Sequence, residues 1–162
     1  MNCIDWYEAE AFCIWDGGRL PTEAEWNYAA AGGAAQRAYP WGSEAPDCSY
    51  ANMLGAAGGS DYCVAPGTGA ANRVGTESPK GDGLYGQADL AGNVWEWAQD
   101  WYVSPYTNPC NNCAYSTVSF GRALRGGSFY FYDASRLLSS YRTYPAPSAR
   151  DFDVGARCAR AR

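Results

Sequence analysis

No histidine occurs in the 162 residues, and Lys80 is the only lysine. Without imidazole there is no Ser–His–Asp triad, no histidine metal ligand and no general base of the commonest kind near neutral pH. With lysine nearly absent, cationic chemistry falls to eleven arginines, whose planar forks suit bidentate pairing that holds loops in place. Long apolar runs are missing too: no stretch approaches the ~18 residues of a membrane span, and the N-terminus lacks the basic start and apolar run of a signal peptide. Positive charge is also short, the net charge being -5. That removes the electrostatic footprint of a nucleic-acid binder or a polybasic membrane anchor.

What is plentiful is cysteine, glycine and aromatic side chains: 7 Cys, 19 Gly, and 7 Trp with 13 Tyr and 5 Phe. Seven cysteines without histidine or a second CxxC do not make zinc knuckles, so an oxidising compartment is expected: secreted, periplasmic or at the cell surface. Cys110 and Cys113 form the one CxxC; a local loop staple is the simpler reading, with a redox pair or zinc as alternatives. An odd count leaves one thiol free or paired outside the chain.

Residues 5–15 carry Trp6, Ala9 and Cys13 at helical spacing and stop at Asp16-Gly17-Gly18, which predicts an amphipathic helix. Thr22 with Glu25 three residues later spells a capping box, so a second helix is expected from there to Ala31, stopped by Gly32-Gly33. Residues 39–85 contain turn dipeptides and no long periodic segment, an ordered loop region that Cys48 and Cys63 bracket in part. A disulfide between them would lower its entropic cost. Residues 93–102 alternate like a strand, with Trp95, Trp97 and Trp101 on one side, and 122–129 and 153–159 are shorter strand candidates. The sum is an α+β domain with two N-terminal helices, few short strands and much ordered loop.

The blocks Arg19-Leu-Pro-Thr-Glu-Ala-Glu-Trp26, Tyr39-Pro-Trp-Gly42, Gly83-Leu-Tyr85, Leu90-Ala-Gly-Asn-Val-Trp-Glu-Trp97 with Asp100-Trp-Tyr102, and Arg125-Gly-Gly-Ser128 stand in one order along the chain. In these the sequence resembles the formylglycine-generating enzyme, or sulfatase-modifying factor, family. The resemblance implies an irregular C-type-lectin-like fold ordered by calcium and disulfides. It covers the C-terminal two-thirds or so of the family domain, so residues 1–162 are expected to form one such domain lacking the family's N-terminal segment. That segment could have held the partner of Cys3.

Carried over position by position, the resemblance implies a disulfide between Cys13 and Cys158, two buried thiols being the alternative. It also implies a calcium site from Asp89, the carbonyls of Gly92 and Val94, and Glu96, and a second from Asn52, the Met53 carbonyl, Asp61 and the Cys63 carbonyl. Hard oxygens in that number suit calcium. The plain alternative is that Asp89 closes an Asx turn while Glu96 pairs with an arginine.

Catalytic members of the family oxidise a sulfatase cysteine with oxygen through two copper(I)-binding cysteines just after the Gly-Gly-Ser turn. Here no cysteine lies between Cys113 and Cys158, and copper(I) demands soft thiolates, so copper is not expected. The iron-dependent relatives use histidines, which this chain lacks. In place of the cysteines stand Phe129, Tyr130, Phe131 and Tyr132, followed by Tyr141, Arg142 and Tyr144, an antibody-like mixture of rigid aromatic anchors with polar contacts. The resemblance implies that this stretch lines the family's substrate cleft, with Trp95 and Ser128 nearby, so together they are candidates for a non-catalytic site that takes a peptide, protein or glycan; equally, these rings could pack as core. The alternatives are an oxidase acting on a sulfatase cysteine and a structural module of a larger surface protein.

Overall fold

The computed structural model describes residues 1–55, 63, 70–106 and 113–160. Helix α1 spans Trp6–Trp15. The Asp5 side chain accepts from the Glu8 N–H and Glu8 returns the bond to the Asp5 N–H, which satisfies two otherwise orphan donors. Trp6, Ala9 and Cys13 are its buried face. Helix α2, Glu23–Ala31, begins on the expected Thr22–Glu25 capping box and ends on Gly32, whose φ of +66° is the left-handed conformation that closes many helices.

Four strands follow: β1 (Trp95–Trp101), β2 (Arg122–Arg125), β3 (Arg142–Thr143) and β4 (Val154–Gly155). They form one mixed sheet in the order β3-β2-β1-β4, antiparallel except for the β1/β4 pair. The strands are shorter than the sequence suggests, and each end has a local cause. Asn93 takes φ +62° just before β1, and Gly126 and Gly127 (φ +93° and +74°) turn the chain away after Arg125, so Ser128 and Phe129 leave the ladder. The 153–159 candidate keeps two strand residues plus an isolated bridge between Arg19 and Ala159. Strand β3 has no alternating run to announce it; its two residues pair because β2 lies alongside.

Strand β1 is buried on both faces. On one side Trp95 and Trp97 join Trp6, Ala9, Cys13, Leu20, Leu124 and Val154 in the main core, so α1 packs on the sheet through aromatic area. The indole N–H groups of Trp6 and Trp97 reach the Ala98 and Ile4 carbonyls at 2.9 and 3.0 Å, so neither large ring buries an unsatisfied donor. On the other side Asp100 accepts from the Glu23 N–H at 2.7 Å and fixes the start of α2. The fully buried Arg125 donates to Asn27 Oδ1 and to the Tyr141 and Ser139 carbonyls, tying α2, β2 and the 139–141 turn together.

Two of the expected disulfides lie wholly within the described residues, and both are present. Cys13 joins Cys158 across 145 residues, and Cys48 joins Cys63 across 15. Cys3 is free and exposed. Cys113 is disulfide-bonded, while Cys110 lies outside the described residues. No helix among the described residues is long and apolar enough to cross a membrane.

Candidate functional site

Where β1, β4 and residues 143–153 meet, an open cleft of about 340 Å³ is lined by Trp95, Tyr130, Phe131, Tyr144, Phe152 and Asp153, among others. The sheet supplies its floor. Trp95, 3% exposed, meets Phe131 edge-on and Tyr141 at a tilt, both at 5.9 Å between ring centres. Tyr130 meets Phe152 edge-on at 5.0 Å, which sets the opposite wall. Such edge-to-face contacts hold rings in fixed orientations, so the cleft is shaped before any ligand arrives.

Its polar centre is the Ser128–Asp153 pair. Both side chains are buried, and the Ser128 hydroxyl donates to Asp153 Oδ2 at 2.5 Å while accepting from the Tyr130 N–H at 3.3 Å. Burial pushes the Asp153 carboxyl above its ordinary value and Asp151 adds to the push, against the Ser128 hydrogen bond. The two arginines on the rim already have partners: Arg150 pairs with Asp5 and Glu8, and Arg136 stacks on Phe131 at 4.1 Å and lies 3.9 Å from Asp133.

Of the nine residues singled out from the sequence for this cleft, Trp95, Tyr130, Phe131 and Tyr144 line it, and Ser128 reaches it through Asp153. The others stand elsewhere. Phe129 is a core residue at 2% exposure packed on Phe152, Tyr141 packs on the core behind Trp95, and Tyr132 is 77% exposed without lining the cleft. Arg142 lies beyond it, paired with Glu23 and sandwiched between Tyr102 and Tyr106 at 4.3 and 3.8 Å. Sequence reasoning named Tyr144 of the far wall but missed Phe152, Asp151 and Asp153. These residues sit in an ordinary turn-rich stretch, and only the parallel β1/β4 pairing carries them to Trp95.

The calcium sets meet a mixed fit. A second pocket of about 210 Å³ is bounded by Asp89, Val94, Glu96 and Arg157 among others. Glu96, 5% exposed, is fully engaged: Arg157 donates to both its oxygens at 2.6 Å and the Trp26 indole N–H to Oε2 at 2.7 Å. This is the arginine pairing weighed as the plain alternative, and it leaves Glu96 a poor ligand for a second cation. Asp89 accepts from the Gly75 N–H at 2.7 Å, and its side chain joins no described ion pair, so it remains available to calcium. In the second set Asn52 is 1% exposed and its Oδ1 has no hydrogen-bond donor, which fits a metal ligand, while the Met53 carbonyl accepts from the Cys63 N–H at 3.1 Å. Asp61 lies outside the described residues. Copper(I) does not fit the cleft: Cys13, Cys158, Cys48, Cys63 and Cys113 are in disulfides, and none of the described cysteines lines it.

Comparison with known proteins agrees with this fold. The family model described as "Sulfatase-modifying factor enzyme 1-like domain" matches residues 1–162. The chain is 35% identical to the formylglycine-generating enzyme of Streptomyces coelicolor over 169 residues, covering 96% of this chain and 51% of that protein. It is 37% identical to the hercynine oxygenase of Mycobacterium tuberculosis over 164 residues, covering 96% of this chain and 35% of that protein. The structure of PvdO from Pseudomonas aeruginosa superposes with a TM-score of 0.76 at 26% identity, over 96% of this chain and 59% of that one. The chain therefore spans about half the length, or less, of the curated relatives named.

Proposed function

The chain belongs to the sulfatase-modifying factor enzyme 1-like family, and within it we propose a non-catalytic role: its aromatic cleft binds a peptide or glycan ligand of an extracellular domain. The observation that carries this reading is the composition of the cleft. Its walls are preformed rings, its centre is a hydrogen-bonded Ser128–Asp153 pair, and none of its described lining residues is a thiol. Rigid rings beside a few polar groups give contact area at low entropic cost, whereas copper-dependent oxidation needs soft ligands that the cleft does not hold. The disulfides support an oxidising compartment.

Peptide display and a glycan array against the purified chain test this, followed by titration of the best ligand. A saturable ligand whose affinity falls at least tenfold on Tyr130→Ala or Phe131→Ala is expected. A ligand indifferent to both substitutions overturns the assignment to this cleft, and the absence of any saturable ligand points instead to a structural module.

A second reading, generation of formylglycine, is favoured by the 35% identity to the enzyme of that name. Incubation with copper(I), oxygen and a cysteine-containing sulfatase-motif peptide separates the two. Aldehyde formation would replace the binding reading.

A further inference from the structure

Arg122 is a partly buried cation that forms no ion pair among the described residues. Its place is fixed from three sides. It stands on β2 opposite Trp101 of β1, and its guanidinium lies 3.6 Å from the ring centre of Trp6 in α1 and 4.1 Å from that of Trp101. Nη1 donates to the Gln99 carbonyl. The acids whose charge reaches it are committed elsewhere: Asp100 accepts the Glu23 and Tyr115 N–H groups, each at 2.7 Å, and Glu10 accepts from the Leu20 N–H at 3.2 Å.

Two donor nitrogens of Arg122, Nε and Nη2, are left without an acceptor among the described residues, and Nε is buried. A buried donor without an acceptor is rare in folded proteins and asks what would satisfy it. In a guanidinium these two N–H groups run parallel along one edge, at the spacing that the two oxygens of a carboxylate match. Arg122 also lines a pocket of about 240 Å³ with Trp6, Gln99, Trp101, Tyr115 and Ser116, and none of its described lining residues is acidic or belongs to the aromatic cleft. The Trp101 indole N–H and the side-chain polar groups of Gln99, Tyr115 and Ser116 make no hydrogen bond among the described residues. The pocket therefore holds one uncompensated cation and several unused donors.

We propose that this pocket binds a carboxylate, held edge-on by Arg122 between the Trp6 and Trp101 rings, with the Trp101 N–H and the Tyr115 and Ser116 hydroxyls as further donors. The two indoles cover the faces of the guanidinium, so an anion has only the edge and must lie near its plane. A carboxylate is flat and meets that demand; a phosphate or sulfate would turn oxygens toward the ring faces, whose negative potential repels them. The volume is below that of sites for drug-sized ligands, which suits a small organic acid or the last residue of a peptide chain.

The test titrates the full chain, labelled with nitrogen-15, with N-acetylphenylalanine and with a glycyl-glycyl-phenylalanine peptide, each against its C-terminal amide and against inorganic phosphate. The Arg122 Nε–H resonance and tryptophan fluorescence are followed together. A free acid should bind saturably and move the Arg122 resonance, while its amide and phosphate bind about tenfold more weakly or worse. Binding of both acids identifies a small-acid site, and binding of the peptide alone a site for a chain end. Arg122→Lys, which keeps the charge and loses the fork, should weaken binding about tenfold or more; if that variant does not fold, the wild-type resonance and the comparison of acid with amide decide. No saturable binding of either acid, equal binding of the amide or of phosphate, an unmoved Arg122 resonance, or full affinity in a folded Arg122→Lys each overturns the proposal.

Discussion

Replacing both Cys13 and Cys158 by alanine opens the longest covalent loop in the described structure. The bridge spans 145 residues, against 15 for Cys48–Cys63. Chain-entropy theory assigns the denatured state a restriction of about 17 cal/mol/K for the longer loop and about 10 for the shorter, or about 5 and about 3 kcal/mol at 25 °C. Cys13 is fully buried between α1 and the sheet, so losing its sulfur adds about 1 kcal/mol of burial and packing. The double variant should therefore lose about 6 kcal/mol, equivalent to a fall in Tm of roughly 12–24 °C for a domain of this size. Cys48→Ala with Cys63→Ala should lose about half as much. Urea unfolding followed by tryptophan fluorescence reads both, since Trp6, Trp95 and Trp97 sit around Cys13. The denaturant dependence should steepen in the Cys13/Cys158 variant, because its unfolded chain expands further. A Cys48/Cys63 variant that loses as much stability as the Cys13/Cys158 variant, or more, would refute the loop-length argument.

Three further outcomes follow from particular contacts. Glu96→Gln strips Arg157 of its partner beside the Trp26 indole and should lower unfolding free energy by about 3 kcal/mol in urea; a loss under about 1 kcal/mol would mean the pair adds little. Gly92→Ala places a Cβ 2.6 Å from the Asn52 carbonyl oxygen at a φ of +77°, so backbone must shift, and about 2 kcal/mol or more should be lost in the same assay. Glu25, hydrogen-bonded to Arg19, is held at about 2 against an ordinary 4.5. A lowered carboxylate stabilises the fold above the ordinary value, and that stability drains away as pH falls from about 4.5 toward 2. With side chains 40% and 36% exposed, solvent screening reduces its worth to about 1 kcal/mol. Glu25→Gln should flatten that part of an acid-denaturation profile, and an unchanged profile would argue against the pair.

Short-range physics made much of this protein legible before folding. The Thr22–Glu25 capping box, the glycine stops, the Trp95 strand and the Cys48–Cys63 staple all depend on residues close together, where hydrogen-bond geometry and hydrophobic period act over a few positions. The ordered blocks from Arg19 to Ser128 pointed to the family in the same way, and with it to Cys13–Cys158. Composition alone removed histidine chemistry, while the absence of copper thiolates was read from the family resemblance, no cysteine lying between Cys113 and Cys158.

Tertiary structure decided the rest, because burial and pairing are properties of neighbours distant in the chain. Nothing near Phe129 in sequence tells that it is core while Tyr130 faces a cleft; the turn at Gly126 and Gly127 sets which ring points where. Arg142 reads like a cleft residue until Glu23, 119 positions earlier, claims its guanidinium. Glu96 reads like a calcium ligand until Arg157, two residues past β4, reaches it, and Asp153 gains its meaning only when β4 lies parallel to β1 and brings it to Ser128. Local propensity cannot encode such contacts, since a charge or a ring is assigned its role by whichever partner the completed sheet delivers to it.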